Sequence, residues 1–325
     1  MAGKGKRMRP STLTTPKPLF PIADKSIVEW LVYEVFKSTK QKIEEVAYII
    51  HPDFGKDVET NLLNIASKYN SKGAIYYQEE ALGTGHAILC AAASLQGNIL
   101  IAFADTLFKA DFNIDTQKDG IIWTKKVEDP RQYGVVTTDK NKKILAFVEK
   151  PETFVSDEAI IGIYFFKDGE NLRKELQYLV DNNLKEKGEY QLTNAMESIK
   201  NKGKQLYSEN VVEWLDCGNK ETALYSHQRV LLSNSFTIPK NNIKNSTIIE
   251  PCYIGNNVVI ENSIIGPYVS IGNNGKVQNS IIANSIVMSD ASIEKSNIQN
   301  SIIGSHSSVK QTPITLNISD YSQIQ

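Results

Sequence analysis

The sequence has few cysteines, almost no net charge and no long apolar run, and each absence excludes a class of protein. Its three cysteines, Cys90, Cys217 and Cys252, lie too far apart for a disulfide framework or a CxxC metal site. The formal net charge of −1 gives the chain no general attraction to nucleic acid or membrane. No apolar stretch approaches the roughly 20 residues that span a bilayer, and we see no leader pattern. We therefore expect a cytoplasmic protein that binds neither nucleic acid nor membrane.

Apolar periodicity divides the remaining sequence into two kinds of structure. Up to Phe103, apolar runs alternate with stretches of helical period, which is typical of an α/β domain with a parallel sheet. Strands prevail up to Phe166, and helices return near 172–180, 192–199 and 221–232. The stretch between Gly83 and about Leu95 reads as one Ala-rich helix, and 139–143 as a hairpin turn.

From about Ile238 the pattern changes to an apolar residue at every fifth or sixth position, with Asn, Ser and Gly between. Neither a helix nor an amphipathic strand has this period, which instead predicts short stacked coils of a β-solenoid. A low-complexity polar tail is the alternative. The periodic positions are Ile249, Ile254, Ile260, Ile265, Ile271, Val277, Ile282, Val287, Ile293, Ile298, Ile303 and Val309. We predict a first domain over 1–235, a solenoid over 236–311 and a tail over 312–325.

The N-terminal stretch combines two glycines, several cations and a proline-flanked lysine. Gly3 and Gly5 let backbone N–H groups approach an anionic oxygen. Arg7 can bridge two phosphate oxygens with its planar fork, and Lys17 can act as a point charge. The arrangement favours a triphosphate site. For the glycines and their basic neighbours alone, a solvated basic N-terminus is an equal alternative.

The whole arrangement resembles the signature of the sugar-phosphate nucleotidylyltransferases. The matching residues are Gly3, Gly5, Arg7, Pro10, Pro16, Lys17, Pro18, Leu19, Pro21 and Ile22. The resemblance implies a Rossmann-like α/β domain with a mixed, mainly parallel sheet and helices on both faces. In that family a buried strand precedes the glycine loop, whereas this sequence starts at the loop. We therefore expect either that such a strand is missing upstream of residue 1 or that another element takes its place. Phrases at 262–268 and 270–272 resemble the C-terminal left-handed parallel β-helix of long-form, archaeal-type glucose-1-phosphate thymidylyltransferases.

Two acidic residues match the family's metal ligands. Asp105 follows the most apolar strand, and such strand ends are where open α/β sheets bind ligands. Asp216 lies in Trp-Leu-Asp-Cys-Gly, which is similar to the family's W-x-D-x-G. The resemblance implies that both hold Mg²⁺, a cation that takes one or two carboxylates together with phosphate oxygens. A cap at the strand end is the alternative for Asp105.

The remaining motifs concern the nucleobase and the sugar. The segment 78–87 is similar to the family's base-reading loop, which implies that Gln78 and Gly83 meet the nucleobase; an ordinary strand-to-helix turn is the alternative. We interpret His86 as a residue at the start of a helix. Resemblances to D-P-x-x-(Y/F)-G-V-V, E-K-P, G-(I/L)-Y and E-x-x-(L/I)-T imply sugar-phosphate contacts for six residues. These are Gly134, Glu149, Lys150, Gly162, Glu189 and Thr193.

The resemblance implies that an NTP and a sugar 1-phosphate give an NDP-sugar and pyrophosphate, with Arg7, Lys17 and Asp105 as catalytic residues. We favour dTTP or UTP with glucose 1-phosphate, and GTP with mannose 1-phosphate is an alternative. Two other readings stay open: a regulatory subunit without activity, and a second, acetyltransferase activity in the solenoid, for which His306 is the candidate base. We expect the solenoid to assemble the chain into a homo-oligomer.

Overall fold

The computed structural model describes residues 6–39, 41–109, 114–239 and 242–311. Gly3, Gly5 and the predicted tail lie outside these described residues. Two compact units share the chain, one from Met1–Phe20 and Lys25–Thr222 and the other from Pro21–Asp24 and Ala223–Gln325. The predicted boundary at residue 235 stays a prediction.

The described residues contain α-helices whose apolar faces pack inward. They are α1 (Ile27–Ser38), α2 (Gly55–Lys68), α3 (Thr84–Cys90), α4 (Gly169–Asp181), α5 (Leu192–Asn201) and α6 (Lys220–Ser233). Polar side chains begin two of them: Ser26 Oγ accepts from Glu29 N at 3.3 Å, and Asp168 Oδ1 accepts from Asn171 N at 2.8 Å. None of these helices is both long and apolar enough to cross a membrane.

One predicted helix is shorter than the sequence indicates. The Ala-rich stretch predicted to run to about Leu95 ends as α3 at Cys90, and a 3₁₀ turn follows at Ala92–Ser94. There, the N–H groups of Ser94 and Leu95 donate to carbonyls only three residues back. The backbone therefore changes from α-helix to a tighter 3₁₀ turn before the next strand. The sequence did not predict this end, because alanine-rich composition does not itself mark where a helix ends.

Up to Asp216 the described residues contain the strands β1 (Pro21–Ile22), β2 (Lys25–Ser26), β3 (Glu45–Ile50), β4 (Lys72–Tyr77), β5 (Ile99–Ala102), β6 (Thr106–Lys109), β7 (Gly120–Lys126), β8 (Gly134–Thr138), β9 (Ile144–Glu149), β10 (Glu158–Phe166), β11 (Leu206–Asn210) and β12 (Glu213–Asp216). The largest sheet has the order β11-β7-β10-β8-β9, with β5 also paired to β10. In it β11 and β7 run parallel, and the other pairs are antiparallel. Strands β3 and β4 form a parallel pair, and β6 and β12 an antiparallel one.

Helices α3, α4 and α5 bury their apolar residues in one core with the largest sheet. Ile122, Phe166 and Leu176 are among its members and are at most 2% exposed. Burial of such side chains contributes roughly 1.5–3 kcal/mol each. This core fixes where β8, β9 and α5 begin and end, and those ends carry several of the predicted site residues.

The chain from Ile243 to Lys310 is a β-solenoid, as the five-to-six spacing predicts. Its strands are β13 (Ile243–Lys244), β14 (Thr247–Ile248), β15 (Cys252–Ile254), β16 (Val259–Glu261), β17 (Ile264–Ile265), β18 (Val269–Ile271), β19 (Lys276–Gln278), β20 (Ile281–Ala283), β21 (Ser285–Val287), β22 (Ser292–Glu294), β23 (Asn297–Gln299), β24 (Ile302–Ile303) and β25 (Ser308–Lys310). Successive strands pass from one to the next of three parallel sheets of five, four and four strands. The fold class, an α/β domain followed by a β-helix, is confirmed; left-handedness stays a prediction.

One periodic position differs from the expectation. Ile249 is 44% exposed, whereas its neighbour Ile248 packs against the solenoid core. Ile248 pairs with Ile265, which in turn pairs with Ile282, so these residues form one inward column. Two adjacent isoleucines satisfy the five-to-six spacing equally well, and only strand register decides between them.

Polar side chains form ladders along the solenoid. Asn257, Asn274, Asp290 and His306 recur every 16 or 17 residues with φ between 57° and 61°. Asn257 donates to Asn274 at 3.2 Å, and Asn274 donates to Asp290 at 3.0 Å. Asn and Asp tolerate this left-handed backbone, so the column marks one corner of every coil. His306 occupies the same corner position in the last coil.

Candidate active site

Lys17 lies beside Asp105, a carboxylate that the sequence analysis predicts to be part of the same site. It begins a short 3₁₀ turn, Lys17–Leu19, between two prolines, and its side chain is only 10% exposed. Its Nζ is 3.2 Å from Asp105 Oδ2. A buried cation with one half-exposed carboxylate is held in place and can still face a phosphate. The structure therefore brings these two predicted residues together.

Asp105 and Asp216 meet at the ends of two paired strands. In the antiparallel pair of β6 and β12, Asp216 lies opposite Thr106, the residue after Asp105. The N–H of Cys217 donates to the Asp105 carbonyl at 3.3 Å. Trp214 Nε1 donates to Thr106 Oγ1 at 3.2 Å and ties the two strands further. The convergence that the motifs implied across the sequence is thus present in the backbone.

Gly218 shows how closely Arg7 approaches this pair. A β-carbon on Gly218 would be 2.8 Å from Asp216 Oδ2 and 3.2 Å from Arg7 Nη2. Tyr133 lies beside the same groups: burial raises the pKa of its hydroxyl, Asp216 raises it further, and Arg7 lowers it. Its ring also packs edge-on against Trp214 at 5.1 Å. Tyr133 lies in the segment that resembles D-P-x-x-(Y/F)-G-V-V, but the sequence analysis gave it no role.

The donor set at Asp105 and Asp216 suits a hard divalent cation. Both ligands are carboxylates, and within the described ranges no group of three or more histidine, cysteine or acidic side chains could hold a metal by itself. A cation here would need further oxygens from a ligand or water to complete its shell. Mg²⁺ in phosphate-binding sites is typically coordinated in this way, by one or two carboxylates together with phosphate or water oxygens.

Three of the predicted sugar residues converge from different elements. Gly134 begins β8 and lies opposite Glu149, the last residue of β9. Thr193, in the first turn of α5, donates through Oγ1 to Glu149 Oε2 at 3.2 Å. A β-carbon on Gly134 would be 3.0 Å from Glu149 Oε2. Burial raises the pKa of Glu149, while Lys150 and the Thr193 hydroxyl partly oppose that rise.

Lys150 lies in a turn that a second lysine holds. Its φ is 44°, its N–H donates to the Tyr133 carbonyl at 3.1 Å, and its Nζ is 3.8 Å from Glu149 Oε1. Lys187 Nζ donates to the Lys150 carbonyl at 2.8 Å. The turn therefore presents Lys150 beside the buried carboxylate. The sequence gave no indication of Lys187, because its partner is a backbone carbonyl.

Gly162 lies at an irregularity of the central strand. Its φ is 84°, and the register of β10 on β7 shifts between Ile160 and Tyr164. Phe103 atoms lie 2.9–3.1 Å from where a β-carbon would be, and Phe103 N donates to the Gly162 carbonyl at 2.8 Å.

Tyr164 is buried, and its pKa is raised by burial and then by Glu149 and Asp105. Tyr164 thus lies within electrostatic range of both Glu149 and Asp105.

The two loops predicted for base and sugar pack against each other. Tyr190 N donates to the Leu82 carbonyl, and Gly85 N donates to the Tyr190 carbonyl, each at 2.8 Å. Glu189 is exposed, and its Oε2 accepts from Gln191 Nε2 at 3.0 Å, so its carboxylate is engaged locally. A β-carbon on Gly83 would lie 2.9 Å from Glu189 Cβ.

Gln78 lies at the end of β4 with its side chain almost fully buried. Its Nε2 donates to the Gly83 carbonyl at 3.1 Å and lies 3.1 Å from His86 Nδ1. The predicted base-reading pair is therefore in direct contact. The sequence reading gave His86 only a place at the helix start, because a side-chain hydrogen bond across a loop leaves no periodic signal.

Comparison with known proteins gives one family. A family model described as nucleotidyl transferase matches residues 1–233. The bifunctional protein GlmU of Methanococcus maripaludis is 27% identical over 266 residues, covering 82% of this chain and 60% of that protein. The chain thus spans about three fifths of that relative's length.

A longer match and a solved structure agree with it. The low-salt glycan biosynthesis nucleotidyltransferase Agl11 of Haloferax volcanii is 28% identical over 334 residues, covering 90% of this chain and 87% of that protein. A UDP-glucose pyrophosphorylase solved with UDP-glucose superposes with a TM-score of 0.57 and 23% identity, over 72% of this chain and 97% of that one. At this identity the structural likeness concerns the fold alone.

Proposed function

The chain belongs to the nucleotidyl transferase family, and from this premise we propose that it joins a nucleoside triphosphate to a sugar 1-phosphate. A phosphate oxygen of the sugar attacks the α-phosphorus of the nucleotide. The bond from that phosphorus to pyrophosphate breaks, and an NDP-sugar and pyrophosphate result. No covalent enzyme intermediate is needed, so catalysis rests on positioning and on charge stabilisation.

Lys17 and Arg7 are the residues proposed to neutralise the nucleotide phosphates. Lys17 is nearly buried and fixed 3.2 Å from Asp105 Oδ2, so it needs little reorganisation when phosphate arrives. The Arg7 guanidinium reaches the Gly218 backbone beside Asp216. A planar fork there can bridge two phosphate oxygens. The proposed roles of Gly3 and Gly5 rest on the sequence motif, since both lie outside the described residues.

Asp105 and Asp216 are the residues that would hold Mg²⁺ in the proposed site. When bound, this cation supplies charge neutralisation shared between the nucleotide and sugar phosphates. Asp105 keeps one side accessible, being half exposed despite its contact with Lys17. Lys17 therefore has a second proposed role, which is to orient the Asp105 carboxylate.

The sugar 1-phosphate is proposed to bind at the turn after β9. Lys150 would hold the attacking phosphate, and Glu149 would accept from a sugar hydroxyl. Thr193 already donates to Glu149, so one carboxylate oxygen is fixed and the group cannot rotate freely. Gly134 and Gly162 carry no β-carbon, so Glu149 Oε2 and Phe103 can pack directly against their backbones.

For the substrates, we propose dTTP or UTP with glucose 1-phosphate. The support is the similarity of 78–87 to uridylyl loops and of the solenoid to thymidylyl enzymes. GTP with mannose 1-phosphate is the alternative pair. We also propose a cytoplasmic homo-oligomer assembled through the solenoid, which sedimentation of the full chain would test.

The observation that carries the proposal is the contact of Lys17 with Asp105 next to the strand end at Asp216. The test is pyrophosphate release with Mg²⁺ over a grid of five nucleoside triphosphates and several hexose 1-phosphates. Release with one nucleotide–sugar pair supports the reaction and identifies the substrates. A folded protein that binds nucleotide but releases no pyrophosphate would instead indicate a regulatory subunit.

The solenoid histidine does not favour a second activity. His306 takes the corner position that Asn257, Asn274 and Asp290 occupy in earlier coils, with φ of 59°. Its N–H donates to the Ser289 carbonyl at 3.2 Å, within the same stacking pattern. A structural corner role accounts for it. Thiol release from acetyl-CoA with glucosamine 1-phosphate would contradict that interpretation.

A further inference from the structure

The amide of Gln78 is held in one orientation by two acceptors. Its Nε2 carries two protons, and it has two neighbours, the Gly83 carbonyl and His86 Nδ1, each at 3.1 Å. The carbonyl can only accept, and it also accepts from Ala87 N at 3.1 Å in the first turn of α3. The nitrogen end of the amide must therefore face α3, and the oxygen Oε1 faces the other way.

This arrangement also fixes the protonation of His86. Because Gln78 Nε2 can only donate, His86 Nδ1 is the acceptor, and a neutral imidazole then carries its proton on its own Nε2. The ring is held by stacking on Tyr190, with centroids 6.4 Å apart and planes inclined by 29°. Cys90 Sγ also lies 3.9 Å from Nδ1, one helical turn away. The backbone bonds of Tyr190 to Leu82 and Gly85 hold that ring in turn.

We propose that His86 is a positioning residue that sets the nucleobase class by fixing the amide of Gln78. With the nitrogen end engaged, Gln78 offers only Oε1, an acceptor, to a base. An acceptor pairs with the ring N–H of uracil, thymine or guanine. The ring N3 of cytosine and N1 of adenine are themselves acceptors, so a base held with this nitrogen opposite Oε1 would leave two lone pairs facing each other. Its exocyclic amino group could donate to Oε1 only if the base shifted in the site. The inference rests on the proposed function, because it concerns the same nucleotide site.

The first test compares His86→Leu with His86→Asn in the full chain. Leucine keeps apolar volume against Tyr190 but removes the acceptor. Asparagine can place Oδ1 close to the position of Nδ1. Since one hydrogen bond is lost, we expect His86→Leu to reduce the preference for UTP or dTTP over CTP, measured as kcat/KM, on the order of five- to tenfold. The substitution should change the KM for nucleotide and leave the KM for sugar phosphate unchanged. His86→Asn should restore most of the preference.

Cys90→Ala is the matched control, because it removes the other group near Nδ1 and leaves the amide untouched. Its selectivity should equal that of the wild type. An unchanged preference in folded His86→Leu, or an equal loss with all five nucleotides, would overturn the inference.

Binding measurements separate this inference from the proposed reaction. If wild type releases no pyrophosphate, calorimetry with UTP and CTP is the readout. A preference for UTP that His86→Leu removes supports the inference while the proposed reaction fails. Folded wild type that binds the two nucleotides equally, or neither of them, contradicts the inference.

Discussion

A β-carbon on Gly83 would come within 2.6 Å of the Tyr190 carbonyl oxygen, so these two residues pack without room for a side chain. The φ of Gly83 is 107°, a backbone conformation that residues with a β-carbon rarely adopt. The contact joins the loop that carries Gln78 to the segment that carries Glu189. The two segments proposed to recognise base and sugar are thus joined through backbone.

Gly83→Ala should therefore destabilise the protein by about 2 kcal/mol or more, because backbone strain and a steric clash add. Gly203→Ala is the matched control: its φ is 93°, but nothing lies within 4 Å of the added carbon. It should cost only the backbone term, about 1 kcal/mol. Urea denaturation of both variants measures the difference, and equal losses would show that the contact with Tyr190 is unimportant.

Lys17→Met should reduce turnover about 100-fold or more while the fold is kept. The reason is that a fixed charge facing the phosphates is lost, and such groups are worth roughly 10²–10³ in rate. Lys68→Met is the control, since Lys68 is a surface cation paired with Glu29 at 2.6 Å. Pyrophosphate release and thermal unfolding are measured on each. Lys17→Met with normal turnover would refute the proposed role.

Gly218→Ala should weaken both the metal and the nucleotide response. The added carbon would press on Asp216 Oδ2 at 2.8 Å and on Arg7 Nη2 at 3.2 Å, so one of these groups must move. We expect about a tenfold higher Mg²⁺ requirement for half-maximal rate, which corresponds to roughly 1.4 kcal/mol. Gly304→Ala has only Ser307 Oγ at 3.4 Å and should behave as wild type. An unchanged Mg²⁺ titration in Gly218→Ala would argue against a metal at Asp216.

Thr193→Val should move the acid limb of activity to higher pH. Burial already raises the pKa of Glu149, and the Thr193 hydroxyl opposes that rise. The ionised carboxylate, which we propose accepts from a sugar hydroxyl, is present above this pKa and is lost as pH falls through it. Removing the hydroxyl raises the pKa further, so kcat/KM for sugar phosphate should begin to fall at a higher pH. Thr193→Ser keeps the hydroxyl and should keep the wild-type profile; coincident profiles for all three proteins would contradict the assignment.

Stability of the solenoid unit should fall in mild acid because of His227. Burial lowers the pKa of this histidine from 6.5 to about 3, and neither ring nitrogen has a hydrogen-bond partner among the described residues. The unfolded chain takes up a proton as pH falls below 6.5, whereas the folded chain does not. The loss should approach about 1.4 kcal/mol per pH unit between pH 6 and 4. His227→Phe should flatten this dependence in urea titrations and His51→Asn should not; an unchanged slope in His227→Phe would reject the cause.

The sequence predicted which residues lie close together better than it predicted how they are held. Lys17, Asp105 and Asp216 could be predicted to meet because each lies in a motif of fixed residue types. The pairing of β6 with β12 that brings the two acids together was not predicted, because neither short segment has a distinct apolar period. Ile248 was missed for the neighbouring Ile249 because composition alone does not set strand register.

The contacts that orient the side chains of the site could be predicted from the sequence even less well. Lys187 acts on a backbone carbonyl, and any nearby lysine would look the same in sequence. The orientation of Gln78 depends on two contacts of its Nε2, with the Gly83 carbonyl and with His86 Nδ1. Such choices depend on three-dimensional hydrogen bonding, and no spacing of residues encodes them.

The corner ladder of the solenoid has a consequence for how its length can change. Each coil presents to the next inward aliphatic residues and, at one corner, an Asn, Asp or His with left-handed backbone, repeated at 16 or 17 residues. The cut faces left by excising one whole coil would therefore match each other in shape and in donors and acceptors. Gene duplication or deletion can therefore add or remove one whole coil at a time. Loss of part of a coil would instead shift the register and place isoleucines at the corner positions of asparagines.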